Sequence, residues 1–287
     1  MSVGLPPLLH PSSVQPLTSP TPGGMIDLHC HMLPGIDDGA PDLDEALAMA
    51  RVAVADGIRV TACTPHIYPG MYENHAAGIR LAISELRNAL HQEDIPLQLV
   101  EGADVHLTPD LLAGIRGGRI PTLNGSRYFL FEPPHHVAPP RIENVVFDLV
   151  AAGYVPIVTH PERLSWIDNH YKVFGNLAKG GAWMQLTAGA ITGRFGGRAK
   201  YWSERMLDEG MVHIVATDAH RADKRAPLLA EARDAVAKRL GDAEAVQMTE
   251  IRPSGILRNV QPDALNLPSA PAAARRPSFW RRFVSGL

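Results

Sequence analysis

Cysteine is scarce in this sequence. Only 2 of 287 residues are cysteine, Cys30 and Cys63, and they are not in Cys-x-x-Cys spacing. That excludes a disulfide framework and suits a reducing, cytoplasmic compartment. The sixth residue after Cys30 is Ile36, and the sixth after Cys63 is Pro69, so neither thiol begins a Cys-x5-Arg string. A cysteine-based phosphatase is thereby excluded, and both cysteines read as small buried side chains. A Gly-rich phosphate loop and a Gly-x-Ser-x-Gly elbow are also missing. No apolar run approaches the roughly 20 residues that span a bilayer. Net charge is -3, which gives no nucleic-acid signature. Residues 1–24 are rich in proline and serine and lack the basic start and apolar run of a signal peptide. They read as a disordered extension, or Met25 is the start.

What remains, at 45% hydrophobic content, is enough to bury one large core. The chain is organised around Met25-Ile26-Asp27-Leu28-His29-Cys30-His31, followed by a Pro34-Gly35 turn and the pair Asp37-Asp38. On a strand, residues two apart share a face, so His29 and His31 project together and Cys30 points away. Taken alone, such a pair reads more readily as two hydrogen-bonded histidines at a strand edge, and the rest of the chain decides. Asp42 and Glu45 form a capping box before a helix that stops near Gly57. Apolar strands then alternate with helical stretches, in about seven strand-then-helix units. That alternation predicts a parallel, barrel-like α/β fold. His66, Asp104, Glu132, His160, Asp218 and His220 each fall at or just past the C-terminal end of a predicted strand. In parallel barrels those ends converge on one face, which carries the chemistry.

The candidate ligands are imidazoles and carboxylates without thiolates, which favours manganese, iron or zinc. With His29, His31 and one of the two aspartates, they are too many for one ion; two or three ions sharing a carboxylate would use them all. Metals about 3.5–4 Å apart activate a water and clamp the oxygens of an in-line phosphoryl displacement. Arg163 and Arg225 follow proposed ligands by a few residues and can fork onto phosphate oxygens.

His-x-His near the start, Asp-Asp-Gly, Thr-x-His, His-Pro-Glu-Arg and Asp-x-His, in this order, resemble the polymerase-and-histidinol-phosphatase (PHP) superfamily. Met25-Ile-Asp-Leu-His-Cys-His, Gly35-Ile-Asp-Asp-Gly39, Ile120-Pro-Thr-Leu-Asn124 and His160-Pro-Glu-Arg163 resemble its CpsB/CapC-type protein-tyrosine phosphatases of bacterial capsule and exopolysaccharide systems. The resemblance runs from Met25 to about Asn259. It implies a single domain over 25–259, a distorted parallel (β/α)7 barrel of the PHP type. It further implies His29, His31, Asp104 and Asp218 on one ion, with Asp104 bridging to a second ion held by Glu132 and His160. Asp38, His66 and His220 hold the third; the family pattern selects Asp38 over Asp37. Arg163 and Arg225 match the phosphate-binding arginines. Asp104 stands where the family commonly has glutamate, and Glu101, three residues earlier, falls on the opposite strand face. The implied substrate is a tyrosine-phosphorylated protein, an autokinase of polysaccharide export, with manganese the leading metal. Within the superfamily the alternative is a small-molecule phosphatase such as histidinol phosphatase; outside it, a low-turnover metal-containing regulatory module. Residues 260–287 read as a flexible tail whose basic and aromatic residues, Arg275 to Leu287, suit a peripheral membrane or kinase contact.

Overall fold

A computed structural model describes residues 23–268. Strands and helices alternate from the start: β1 (Met25–Cys30), α1 (Leu43–Ala55), β2 (Ile58–Cys63), β3 (His66–Ile67), α2 (Ala76–Gln92), β4 (Gln98–Glu101), β5 (Asp104–His106) and α3 (Leu111–Arg116). They continue as β6 (Tyr128–Glu132), α4 (Ile142–Ala151), β7 (Val155–Thr159), α5 (Ile167–Lys179), β8 (Trp183–Thr187), α6 (Ala188–Ile191), α7 (Gly196–Asp208) and β9 (Ile214–Ala216). Helices α8 (Ala230–Leu240), α9 (Asp242–Val246) and α10 (Arg252–Leu257) follow, with a single π-turn at Gln247–Ile251.

The C-terminal helices carry two local features. Helix α8 starts at Ala230, where the Asp56 carboxylate accepts the Ala230 amide at 2.8 Å. A carboxylate from another element thus supplies the cap. Helix α9 widens into the π-turn after Val246. At α1 the capping residue is the expected one: Asp42 accepts the Glu45 amide at 2.9 Å.

The fold is α/β with parallel sheets. Strands β1-β2-β4 form one sheet and β3-β5-β6-β7-β8-β9 the other. Strands β2 and β3 are two pieces of one run broken at Thr64-Pro65, and β4 and β5 are broken at Gly102-Ala103. Proline has no amide hydrogen for the ladder. Opposite it Gly102 passes so close that a Cβ would lie 2.8 Å from Leu123 Cδ2 and 2.9 Å from Thr64 Cγ2. Past these breaks β3 pairs with β5 as β2 pairs with β4. Beyond the ends of β1 and β9, the Asp218 amide donates to the His29 carbonyl at 2.8 Å and the His31 amide to the Ala219 carbonyl at 2.8 Å. Cys30 and Ala219 form a parallel bridge there.

Burial divides the apolar residues into two layers. One lies between strands and helices and joins Phe129, Phe131, Val158 and Met184 to Ile79, Ile83, Leu149 and Phe174. The other joins Leu28, Val60, Leu130, Ile157 and Ile214 to Ile256 and Leu257 of α10 and to Leu265. Each such side chain contributes about 1.5–3 kcal/mol on full burial. Alternation along β6 puts Tyr128, Leu130 and Glu132 on one face, so that face changes from apolar to acidic toward its C-terminal end. A progression from apolar to polar, Val155, Ile157, Thr159, runs along β7. Residues 260–268 pack on the other end: Tyr128 Oη donates to the Val260 carbonyl at 2.8 Å, and Arg252 Nε to the Asn266 carbonyl at 2.6 Å. Among the described residues no helix is long and apolar enough to cross a membrane. The proline- and serine-rich residues 1–22 and the basic, aromatic stretch from Arg275 lie outside the described residues.

Candidate metal centre

Strand β1 ends just before His31, and the Nε2 atoms of His29 and His31 face each other at 3.1 Å. His29 Nδ1 lies 2.8 Å from Gln185 Oε1, and His31 Nδ1 lies 2.7 Å from Asp37 Oδ2. With Nδ1 donating to an oxygen, a neutral imidazole turns the lone pair of Nε2 outward. Two lone pairs at that distance need a proton or a cation between them. Asp37 is further fixed by the amides of Gly39 at 2.9 Å and His66 at 3.1 Å. Gly39 is required by contact, since a Cβ there would stand 2.0 Å from the His31 carbonyl oxygen.

The nine candidate ligands lie together. His29 Nε2 is 3.4 Å from both Asp104 Oδ2 and Asp218 Oδ1. His66 Nδ1 is 3.6 Å from Asp104 Oδ2 and 3.4 Å from Glu132 Oε2, and His160 Nε2 is 3.6 Å from Glu132 Oε1. Asp38 Oδ1 lies 3.3 Å from His220 Nε2 and 3.5 Å from His66 Nε2. The two aspartates of the pair divide their work, Asp38 facing His66 and His220 while Asp37 orients His31. Glu101 is not in the cluster and pairs with Arg80 at 2.9 Å.

Divalent ions fit this donor set. Bonds of roughly 2.0–2.2 Å to a first-row ion place neighbouring ligand atoms roughly 3–3.5 Å apart, and the separations above are close to that range. Asp104 Oδ2 is buried without a hydrogen-bond partner, a cost on the order of 1–3 kcal/mol or more for a charged group unless something outside the chain meets it. The field has the matching sign. Burial pulls the His29 pKa down, but Asp104 and Asp218 outweigh it and hold the imidazole up at about 9. Burial likewise opposes His66, yet Glu132, Asp104 and Asp38 raise it to about 10. Negative charge is thus in excess around His29 and His66, whereas burial with Arg163 lowers the His160 pKa and burial with His31 lowers that of His220 to about 4.

Three residues near the centre, Gln185, His106 and His135, escaped the sequence reading. Gln185 is a lone amide in an apolar strand, and a buried amide needs a partner. Asp37 was visible as one of a pair. His106 shares a strand face with Asp104, and its Nδ1 lies 3.7 Å from Glu132 Oε2. His135, in the Pro-Pro-His-His string after Glu132, groups with Glu132 and His160 within 4.8 Å.

Arg163 and Arg225 arrive from different loops on the same carboxylate. Arg163 Nη1 contacts Asp218 Oδ2, and Arg225 Nη2 lies 2.7 Å from it. Oδ1 of Asp218 faces His29 and, at 3.5 Å, His31. Burial would raise the Asp218 pKa, but Arg163, His29 and Arg225 hold it well below the usual range. His160 and Asp218 are both non-glycine residues at positive φ, 36° and 52°. Such conformations cost about 1–3 kcal/mol each and turn the chain sharply off β7 and β9. The thiols are unsuited to attack: burial pushes Cys63 up to about 12, and burial with nearby acids pushes Cys30 well above the usual range.

The profile of the family described as "Capsular polysaccharide synthesis, CpsB/CapC" matches residues 25–258. The chain belongs to the CpsB/CapC family. It is 36% identical over 226 residues to the tyrosine-protein phosphatase YwqE of Bacillus subtilis, covering 79% of this chain and 89% of that one. With the tyrosine-protein phosphatase CpsB of Streptococcus pneumoniae it is 29% identical over 238 residues, 81% of this chain and 98% of the relative. A crystal structure from work on YwqE and CpsB, described as unique metal-dependent tyrosine phosphatases, superposes with TM-score 0.81 and 34% identity over 86% of this chain and 98% of that one. The histidinol phosphate phosphatase of Lactococcus lactis shares the fold alone, with TM-score 0.51 and 12% identity over 76% of this chain and 94% of that one.

Proposed function

We propose that this CpsB/CapC-family chain is a metal-dependent protein-tyrosine phosphatase. The observation that carries the reading is Asp218, whose one oxygen faces His29 and His31 while the other holds Arg163 and Arg225. A metal set and an anion clamp thus meet at one carboxylate. His29, His31, Asp104 and Asp218 would hold one ion, Asp104, Glu132 and His160 a second, and Asp38, His66 and His220 a third, with manganese the leading metal. When bound, such ions supply hydroxide at neutral pH and offset charge on the transferring phosphoryl group. Arg163 and Arg225 fork onto the phosphate oxygens with their in-plane N–H groups and keep the group in line for displacement. Gln185 and Asp37 fix the ring orientation of His29 and His31, so the donors need no reorganisation. Neither cysteine takes part.

The finer features follow the same reading. The ladder of parallel pairings, with β2/β3 and β4/β5 each counted as one strand and the bonds of Asp218 and Ala219 onto His29 and His31, supports a closed, distorted (β/α)7 barrel of the PHP type. The catalytic domain spans 25–259 and acts in the cytoplasm. The capsule link in the family's description supports a phosphorylated tyrosine kinase of polysaccharide export as substrate, with the C-terminal tail as the membrane or kinase contact.

The experiment is phosphate release from a phosphotyrosyl peptide and, in parallel, from histidinol phosphate, by metal-stripped protein with and without manganese. The reading predicts manganese-dependent release from the peptide, blocked by chelator, untouched by thiol alkylation and much faster than from histidinol phosphate. Release only from histidinol phosphate, or none with any metal, rejects it.

A further inference from the structure

Phe195 lies between α6 and α7, in the string Gly193-Arg194-Phe195-Gly196-Gly197, and is half-buried. The donor set does not use it. Its ring carries the Arg163 guanidinium, whose central carbon is 4.5 Å from the ring centroid, and borders that of Arg225 at 5.9 Å. The backbone around it is shaped to seat the ring. A Cβ on Gly189 would stand 2.7 Å from Phe195 Cε2 and 3.0 Å from Cδ2, so only glycine leaves room. Gly193 and Gly196 turn the chain on either side of the ring at φ +90° and +85°, a region open to glycine.

Among the described residues, Asp218 is the only ion-pair partner of Arg163, and it is shared with Arg225. Asp218 also faces three imidazoles, those of His29, His31 and His220, so its charge is shared among several groups. A second hold on the guanidinium planes is needed. An aromatic face supplies one without using any N–H, because stacking occupies the face of a guanidinium and leaves its donors free at the edge. That orientation suits capture of a tetrahedral oxyanion.

We infer that Phe195 is a positioning residue that presents Arg163, and beside it Arg225, to the phosphoryl group. It acts through the arginines and does not touch the reacting atoms. The inference rests on the phosphatase reading above. It is tested on the manganese-loaded full chain by measuring competitive inhibition by inorganic phosphate, kcat/KM on a phosphotyrosyl peptide, and bound manganese. The variants are Phe195→Leu, Phe195→Tyr, Gly189→Ala and Arg163→Ala. For Phe195→Leu the phosphate inhibition constant rises and kcat/KM falls, both about 3–10-fold, with manganese content and melting temperature unchanged. Phe195→Tyr restores both, and Gly189→Ala, which displaces an intact ring, weakens phosphate in the same direction. If Arg163→Ala loses phosphate while Phe195→Leu equals the wild type, the ring is idle: the inference falls and the phosphatase reading stands. If Arg163→Ala leaves phosphate inhibition unchanged, the arginine's role falls and the inference with it. Loss of manganese or melting temperature in both Phe195 variants makes the role purely structural and also overturns it.

Discussion

The two ends of the parallel strands both bury histidine and charge, with opposite outcomes. At the C-terminal end His29, His31, His160 and Asp104 converge on one another, and the pairing atoms are separated by 3.1–3.9 Å. At the N-terminal end His213 accepts the Met184 amide at 3.0 Å and stacks on Trp183 at 4.8 Å. Above it the buried Arg252 pairs with Glu244 at 2.8 Å and donates to the carbonyls of His213 and Asn266. Apart from Arg252 Nη2, the polar groups of this second end are turned toward partners in the chain. Those of the first end are turned toward each other, lone pair against lone pair. Burial alone does not distinguish a site from a strut; what matters is whether the donors and acceptors are complementary within the chain.

Substitutions at the two ends separate activity from stability. The largest effect is on turnover at the C-terminal end. His160→Ala and Asp218→Ala each lower kcat/KM on a phosphotyrosyl peptide by about a thousandfold, the scale of losing a charge-stabilising group in a preorganised site, with the circular-dichroism spectrum intact. Normal turnover in either variant would erase the distinction between the ends. Arg252→Leu does the reverse. It leaves Glu244 and two carbonyls without their cation, and denaturant titration shows a loss of about 3 kcal/mol, while the activity of the folded fraction is kept. Gln185→Met probes the support behind the ligands. It removes the bond to His29 Nδ1, and manganese affinity, read by titration calorimetry, falls about tenfold.

A further effect is on pH dependence and belongs to the N-terminal end. Burial, with Arg252 nearby, lowers the His213 pKa from 6.5 to about 3. Above pH 6.5 the group is neutral folded and unfolded, so it adds no pH dependence. Between 6.5 and 3 the unfolded chain binds a proton that the folded chain refuses, so stability falls with falling pH by up to about 1.4 kcal/mol per unit. His213→Asn keeps an acceptor for the Met184 amide and removes the titration. Denaturation midpoints from pH 6.5 to 4 become flatter by that slope; equal slopes in both proteins would show that His213 is not held neutral.

Much of the first end was legible in the sequence because chemistry there is punctuated. Strands such as Tyr128–Glu132 and Trp183–Thr187 were readable from apolar runs. A histidine or carboxylate just past an apolar run stands out, and the order of motifs added the choice between Asp37 and Asp38. The end of β2 before Pro65 was legible, but the short β3 beyond it and the break between β4 and β5 at Gly102 were not, because a buried run gives no alternation to interrupt. Gln185, His106, His135 and Phe195 were missed for another reason. Their roles arise from contacts between segments far apart in the chain, such as the 156-residue separation of His29 and Gln185. The N-terminal end was hidden in the same way, since nothing beside Arg252 in sequence announces Glu244 or His213 as its neighbours.

The central claim is that the donors at the C-terminal strand ends are arranged for divalent ions. Anomalous diffraction from manganese-loaded crystals, collected on both sides of the manganese edge, tests it most directly. The account predicts peaks enclosed by His29, His31, Asp38, His66, Asp104, Glu132, His160, Asp218 and His220, and none beside His213 and Arg252. An empty cluster in crystals grown with saturating manganese, or peaks only elsewhere on the molecule, would contradict it.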